Sequence, residues 1–138
     1  MTSLSYIADV SSRLPDDEMR AVALKIVDEV RSRLDRENQG LWTVNVISSW
    51  VEREATDPVV ARTLQFFVAR RDAQLLDVHY IYFSPDGRNP VGDLIEDGEV
   101  RDAFSTGFLV DPETGDKISS FEQFLVPYFV PVDGLVAS

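Results

Sequence analysis

The sequence predicts an α+β fold with a helical N-terminal half and a small antiparallel sheet after it. Two patterns predict it. Apolar residues recur at three- and four-residue spacing in the first half, and short extended segments alternate with turn residues in the second. With 138 residues, we expect one domain with its own core. Its expected parts are a lead-in over 1–14, a helical part over 15–74, a strand and hairpin part over 75–132, and a frayed tail over 133–138.

Three candidate helices make up the helical part. The first begins at Pro15, a residue suited to a first helical turn, and its stop signal lies over 38–40. The second covers 43–54. The third starts at Pro58, which follows the capping residue Asp57. The first helix would be about 33 Å long at about 1.5 Å per residue, so it forms either the spine of the core or half of a homodimer interface.

Extended segments dominate the second half. Residues 75–83 are apolar on both faces of a period-two pattern, so we expect a strand that is covered on both sides. Residues 84–87 predict a turn, because Pro85 presets φ and Gly87 accepts a positive φ. The following segments are predicted as a loop over 88–98, a short helix over 96–104, a hairpin over 107–119, and an extended segment after a helical turn at Ser120.

The net charge of −11 is unevenly distributed along the chain. Residues 1–74 hold 12 acidic and 10 basic side chains, whereas residues 75–138 hold 12 acidic and 3 basic ones. The second half would repel nucleic-acid phosphates and anionic membranes, and it would attract a basic protein partner. The alternative is that the acidity serves only solubility.

The sequence lacks the residues and motifs that several classes of function require. There is no cysteine, which excludes disulfides, thiolate metal sites and cysteine nucleophiles. The first residues do not resemble a signal peptide, and no apolar run reaches the roughly 18 residues of a membrane helix. Walker, dinucleotide-binding and serine-hydrolase motifs are also missing. We therefore expect a cytoplasmic protein with no enzymatic activity and no cofactor.

His79 is the only histidine of the chain. It could act as a general base, since imidazole titrates near neutrality, and Asp77 lies two residues away on the same strand face. We favour the alternative, a strand histidine that is hydrogen-bonded to a neighbour. We therefore assign no catalytic, cofactor-binding or metal-binding residue.

Acidic and aromatic residues of the second half form the predicted partner surface. Five carboxylates between residues 93 and 102 could bind a divalent cation, dock a basic partner or simply face solvent. Residues 111–122 begin and end like a calcium loop, but the glycine is at the fifth position rather than the sixth. The apolar segment 124–132 either caps a sheet edge or contacts a partner. The residues predicted to bind the partner are Asp93, Glu96, Asp97, Glu99, Asp102, Tyr128 and Phe129.

From 41 to 118 the predicted order is helix, helix, strand, helix or loop, strand and strand. This order resembles a winged-helix domain, and the resemblance implies DNA binding through the later helix, here with Arg62, Arg70 and Arg71. Other winged-helix domains dimerise or dock proteins. The candidate wing over 111–117 is acidic, where a DNA-binding wing offers lysine or arginine. We therefore expect an adaptor, regulatory or inhibitor-like protein module, with a winged-helix DNA-binding regulator as the alternative.

Overall fold

The structure, a computed structural model, describes residues 2–34 and 41–136. The α+β prediction is confirmed, because the described residues form five α-helices and a small antiparallel sheet. The chain divides into two compact units. Unit 1 comprises Met1–Val78 and Phe129–Ser138, and unit 2 is the contiguous segment His79–Tyr128. The single domain stays a prediction, since this division does not decide whether the units unfold together.

Unit 1 contains four helices and short strands. Two of these strands, β1 (Thr2–Ser3) and β8 (Leu135–Val136), pair in parallel, with Thr2 opposite Leu135. A further strand, β2, covers Trp42–Thr43. The helices of unit 1 are α1 (Leu4–Ser12), α2 (Asp17–Arg33), α3 (Val44–Trp50) and α4 (Pro58–Ala69).

Both ends of the chain contradict the expectation of a lead-in and a frayed tail. Helix α1 occupies most of 1–14, and its side chains Leu4 and Ile7 are fully buried. Apolar residues recur here every three positions, as in a helix, but the segment is too short for this pattern to stand out in the sequence. In the predicted tail, Leu135 packs against the core of unit 1 as part of β8.

Capping side chains fix where the helices begin. The Asp16 carboxylate accepts the Met19 amide at 2.9 Å, so α2 begins at Asp17, two residues after Pro15. At α4 the prediction is confirmed, since Asp57 accepts the Val59 amide at 2.9 Å and Pro58 is the first helical residue. The predicted stop of the first helix over 38–40 lies outside the described residues.

Helix α2 forms the spine of unit 1. It contacts α1, α3 and α4, which cover its apolar stripe. The sequence left open whether this stripe faces the core or a second copy of the chain, and the structure places it in the core. A homodimer through this helix stays a prediction, but the stripe on which it was based is occupied. The buried residues of α2 are Val22, Ala23, Ile26, Val27 and Val30.

Unit 2 packs one helix against short strands. Two long strands, β3 (Leu76–Tyr82) and β7 (Leu125–Pro131), run through both units, and the four-stranded sheet has the order β2-β7-β3-β4. The predicted strand, short helix and hairpin are confirmed. The loop predicted over 88–98 is wrong in part, because three of its residues form β4, antiparallel to β3. The remaining elements are β4 (Asp93–Ile95), α5 (Asp97–Thr106), β5 (Leu109–Val110) and β6 (Lys117–Ile118).

A small core holds unit 2 together. The turn at 84–87 that leads out of β3 is confirmed: the Gly87 amide donates to the Ser84 carbonyl at 3.1 Å, and Gly87 has a φ of 71°. Apolar and aromatic residues from β3, β4, α5, the hairpin and the 3₁₀ helix Phe121–Phe124 pack together. The buried members of this core are Tyr82, Ile95, Val100, Ala103, Leu109 and Phe121.

Candidate functional site

A groove lies between α5 and the β5–β6 hairpin, and both of its walls belong to unit 2. Its volume is about 490 Å³. Helix α5 contributes residues at three- and four-residue spacing, which places them on one helix face. The hairpin contributes mainly apolar side chains. The residues lining the groove are Glu99, Asp102, Ala103, Thr106, Phe108, Leu109, Val110, Asp111, Pro112 and Gly115.

The end of α5 sets the angle between the two walls. Gly107 has a φ of 90°, the left-handed conformation that favours glycine, and its amide donates to the Ala103 carbonyl at 2.8 Å. The chain then reverses into β5, with Phe108 half-buried at the bend. Val110 follows with 49% of its surface exposed. Carboxylates on the helix therefore face apolar side chains on the hairpin.

Asp111 organises the hairpin. Its Oδ1 accepts the amides of Glu113 at 2.9 Å and Thr114 at 3.1 Å, and its Oδ2 accepts the Tyr82 hydroxyl at 2.7 Å and the Arg88 guanidinium at 2.7 Å. Burial alone would raise the pKa of Asp111, but these donors lower it to about 2. The side chain is only 2% exposed and both oxygens are engaged. Asp111 is therefore a charged structural anchor.

Arg88 is held entirely by carboxylates of unit 2. Besides Asp111, it contacts Asp86 at 2.8 Å and Glu113 at 2.9 Å. Burial and the hydrogen bond to Asp111 raise the pKa of Tyr82, so its hydroxyl stays protonated and donates. One of the few basic residues of the second half is thus engaged within the chain.

The five predicted carboxylates do not converge on one point. Glu99 and Asp102 line the groove together, whereas Asp97 contacts His79 and Asp93 accepts the Asn89 amide group at 3.0 Å. In the described part of the chain, no three histidine, cysteine or carboxylate side chains are placed to hold a metal ion. Glu96 precedes α5 as its N-cap, and its exposed side chain makes no capping hydrogen bond.

The aromatic part of the predicted surface needs a correction. Phe129 is buried with 7% exposure in the core of unit 1, so it is not a surface anchor. Tyr128 is half-buried, with its ring 5.6 Å from that of His79. Phe108, Val110 and Pro112 line the groove and were not among the predicted partner-binding residues. In the sequence, Val110 looks like any valine of an edge strand, so nothing marked it as a binding residue.

His79 pairs with a different carboxylate from the one that the sequence suggested. Its Nδ1 lies 2.8 Å from Oδ1 of Asp97, which is the first residue of α5. Asp77 instead accepts the Gln74 amide group at 2.9 Å. The hydrogen bond agrees with a strand histidine bonded to a neighbour. His79 does not line the groove.

Two of the three arginines of the DNA-binding alternative have acidic neighbours. Arg70 pairs with Asp72 at 2.7 Å. A backbone hydrogen bond from Met19 and, more weakly, the charge of Arg62 lower the pKa of Asp16, so Arg62 also has an acidic neighbour. Arg71 lies beyond the end of α4, in a short 3₁₀ turn. These contacts reduce the positive field that a phosphate backbone would meet.

Comparisons with protein-family models, curated proteins and solved structures found no match for this chain. Among the described residues, no helix combines the length and apolar character needed to cross a membrane.

Proposed function

We propose that this chain is a non-enzymatic protein-interaction module that binds a basic partner through unit 2. The observation that carries the proposal is that three carboxylates at and near the start of α5 are exposed and unpaired in the described part of the chain. We call Glu96, Glu99 and Asp102 the α5 carboxylates. All three are exposed, and none forms an ion pair within the described residues. They lie beside a groove with apolar walls.

The charges of unit 1 are arranged differently. Most of its described basic residues pair with a carboxylate of the same unit, which leaves little net field from those pairs. Unit 2 holds 10 acidic and 3 basic side chains, so it carries the larger share of the excess negative charge. The paired basic residues of unit 1 are Arg13, Arg20, Lys25, Arg31, Arg33, Arg53 and Arg70.

Local stability does not explain the whole arrangement. Asp97 and Glu99 lie in the first turn of α5, where the helix dipole favours a negative charge. Asp102 lies beyond that turn, and it is three residues from Glu99, so the two like charges repel each other. A cation of a partner would relieve this repulsion, and the field of unit 2 would steer a basic surface towards it.

The test is a titration of the ¹⁵N-labelled chain with a blocked arginine–glycine repeat peptide, and separately with a short DNA duplex. We expect the peptide to shift the amides of α5, with binding that weakens as salt rises. We expect no saturable shifts with the duplex. Shifts at α4 around Arg62, Arg70 and Arg71 with the duplex alone would replace the proposal with the DNA-binding alternative.

A matched pair of variants separates a local site from general acidity. Glu99→Gln with Asp102→Asn removes two charges at the groove, and Glu52→Gln with Glu54→Gln removes two exposed charges from unit 1. Exposed charge pairs contribute about 0.2–1 kcal/mol each, so the first double variant is expected to weaken peptide binding about fivefold. Equal weakening by both double variants would show that net charge alone attracts the peptide.

A further inference from the structure

We propose that the groove binds a short segment of the partner in which an arginine or lysine is next to an apolar residue. The cationic head group lies at Glu99 and Asp102, and the apolar side chain packs on Val110 and Pro112. The proposal rests on the proposed function, since it names the part of a basic partner that this surface recognises.

The size of the groove fits a segment rather than one side chain. Its volume of about 490 Å³ lies within the range of roughly 300–1,000 Å³ that is typical of ligand sites. A single lysine or arginine would leave part of this space open. Ala103 contributes only a methyl group to the wall that α5 provides, which keeps the space between helix and hairpin free.

The walls of the groove select for a mixed apolar and cationic ligand. An apolar ligand would cover the carboxylates of Glu99 and Asp102 without replacing their hydration, which is unfavourable. An anionic ligand would be repelled by the same two groups. A purely polar cation would leave the apolar side chain of Val110, which is 49% exposed, without cover.

The charged groups around the groove leave the two carboxylates available. Asp111 also lines it, but its oxygens are engaged by four donors, and Arg88 is held by three carboxylates. Lys117 lies with its ammonium group 4.8 Å from the centre of the Phe108 ring and forms no ion pair with Glu99 or Asp102. An incoming cation therefore does not have to displace an ion pair of the chain.

The probes are three blocked tetrapeptides titrated into the labelled full chain: Gly-Leu-Arg-Gly, Gly-Gly-Arg-Gly, and Gly-Leu-citrulline-Gly, in which a neutral isostere replaces arginine. We expect the first to shift the amides of Thr106, Val110 and Gly115. Each of the other two is expected to bind about fivefold more weakly, because one loses the apolar contact and the other the charge. Equal binding of the leucine and glycine peptides would overturn the proposal.

Variants at exposed positions test the location. Val110→Thr keeps the branched shape and removes apolar surface, so it should bring the leucine peptide to the affinity of the glycine peptide. Val91→Thr is the matched control, since Val91 is 81% exposed in unit 2 and does not line the groove. Similarly, Glu122→Gln is the control for Glu99→Gln. An equal loss with Val91→Thr would place the contact elsewhere and overturn the proposal.

The outcomes distinguish this proposal from the proposed function. If the arginine–glycine repeat binds at the α5 carboxylates and leucine adds nothing, the groove is not a specific site and the basic-partner function stands. If Gly-Leu-Arg-Gly binds in the groove while the repeat peptide does not bind, the groove is a specific site. The proposed function, in which charge alone attracts a basic partner, would then be wrong. The peptide series uses the unmodified chain, so it does not depend on how any variant folds.

Discussion

Replacing Tyr82 with phenylalanine would remove one hydroxyl group and leave the aromatic ring in the core of unit 2. Tyr82 has no exposed surface, and its hydroxyl donates to the Asp111 carboxylate at 2.7 Å. A hydrogen bond to a charged group contributes about 1.5–3 kcal/mol to stability. We expect Tyr82→Phe to lower the free energy of unfolding by about that amount at neutral pH.

The pH dependence of this loss follows from Asp111. Its pKa in the folded chain is about 2, below the ordinary value of 3.8. This gap corresponds to about 2 kcal/mol of stability. Because the folded pKa is the lower one, the contribution is complete above the unfolded value and is lost as the pH falls through 3.8 towards about 2. Without the tyrosine donor, the folded pKa of Asp111 lies closer to its unfolded value. The difference in unfolding free energy between wild type and variant should therefore shrink as the pH falls from 3.8 towards about 2.

The assay is urea unfolding from neutral pH to about pH 2, with hydrogen exchange of the hairpin amides as the signal from unit 2. Tyr80→Phe is the control, since Tyr80 lies on the same strand and its hydroxyl has no hydrogen bond among the described residues. The reasoning fails if both variants lose the same stability, or if the cost of Tyr82→Phe is the same at low pH as at neutral pH.

Three further predictions concern the caps and the relation between the units. Thr43→Ala removes the side chain that accepts the Val46 amide at the start of α3, and should cost about 1 kcal/mol of unfolding free energy by tryptophan fluorescence, with Thr56→Ala as a control. Gly107→Ala places a side chain at a φ of 90°, where no neighbouring atom would crowd its Cβ. The strained backbone alone should therefore lower the unfolding free energy by about 1 kcal/mol, measured by hydrogen exchange of the hairpin amides. An unchanged unfolding free energy would show that this backbone conformation is not strained for alanine. If the chain is a single cooperative domain, the urea midpoint of Trp42 and Trp50 fluorescence in unit 1 matches that of the hairpin amides in unit 2, and separate midpoints would refute it.

Local signals predicted those regular elements that have a distinct start or turn signal. Asp57 followed by Pro58 predicted the start of α4, and the proline and glycine of residues 84–87 predicted the turn after β3. Each signal depends on side chains a few residues apart, so no tertiary information was needed. Strand β4 was missed because it has three residues, too few for alternation to be visible.

Features that depend on distant residues were predicted less well. The sequence placed Glu99 and Asp102 among the predicted partner-binding residues, and both line the groove. It did not indicate that Asp111 faces the interior, because the donors that stabilise its charge lie up to 29 positions away, at Tyr82. Phe129 was assigned to the surface for the same reason, since its burial depends on the core of unit 1, formed mainly by residues far earlier in the chain.

The chain leaves unit 1 at Val78 and returns to it at Phe129, after the whole of unit 2. This order has a consequence on the ribosome, where the polypeptide emerges from its amino end. Helices α1 to α4 appear before unit 2, but the strand that pairs with β1 is β8, which is made only after unit 2. Unit 1 therefore stays incomplete throughout translation of the intervening fifty residues, and its exposed apolar surface is what a nascent-chain chaperone would meet.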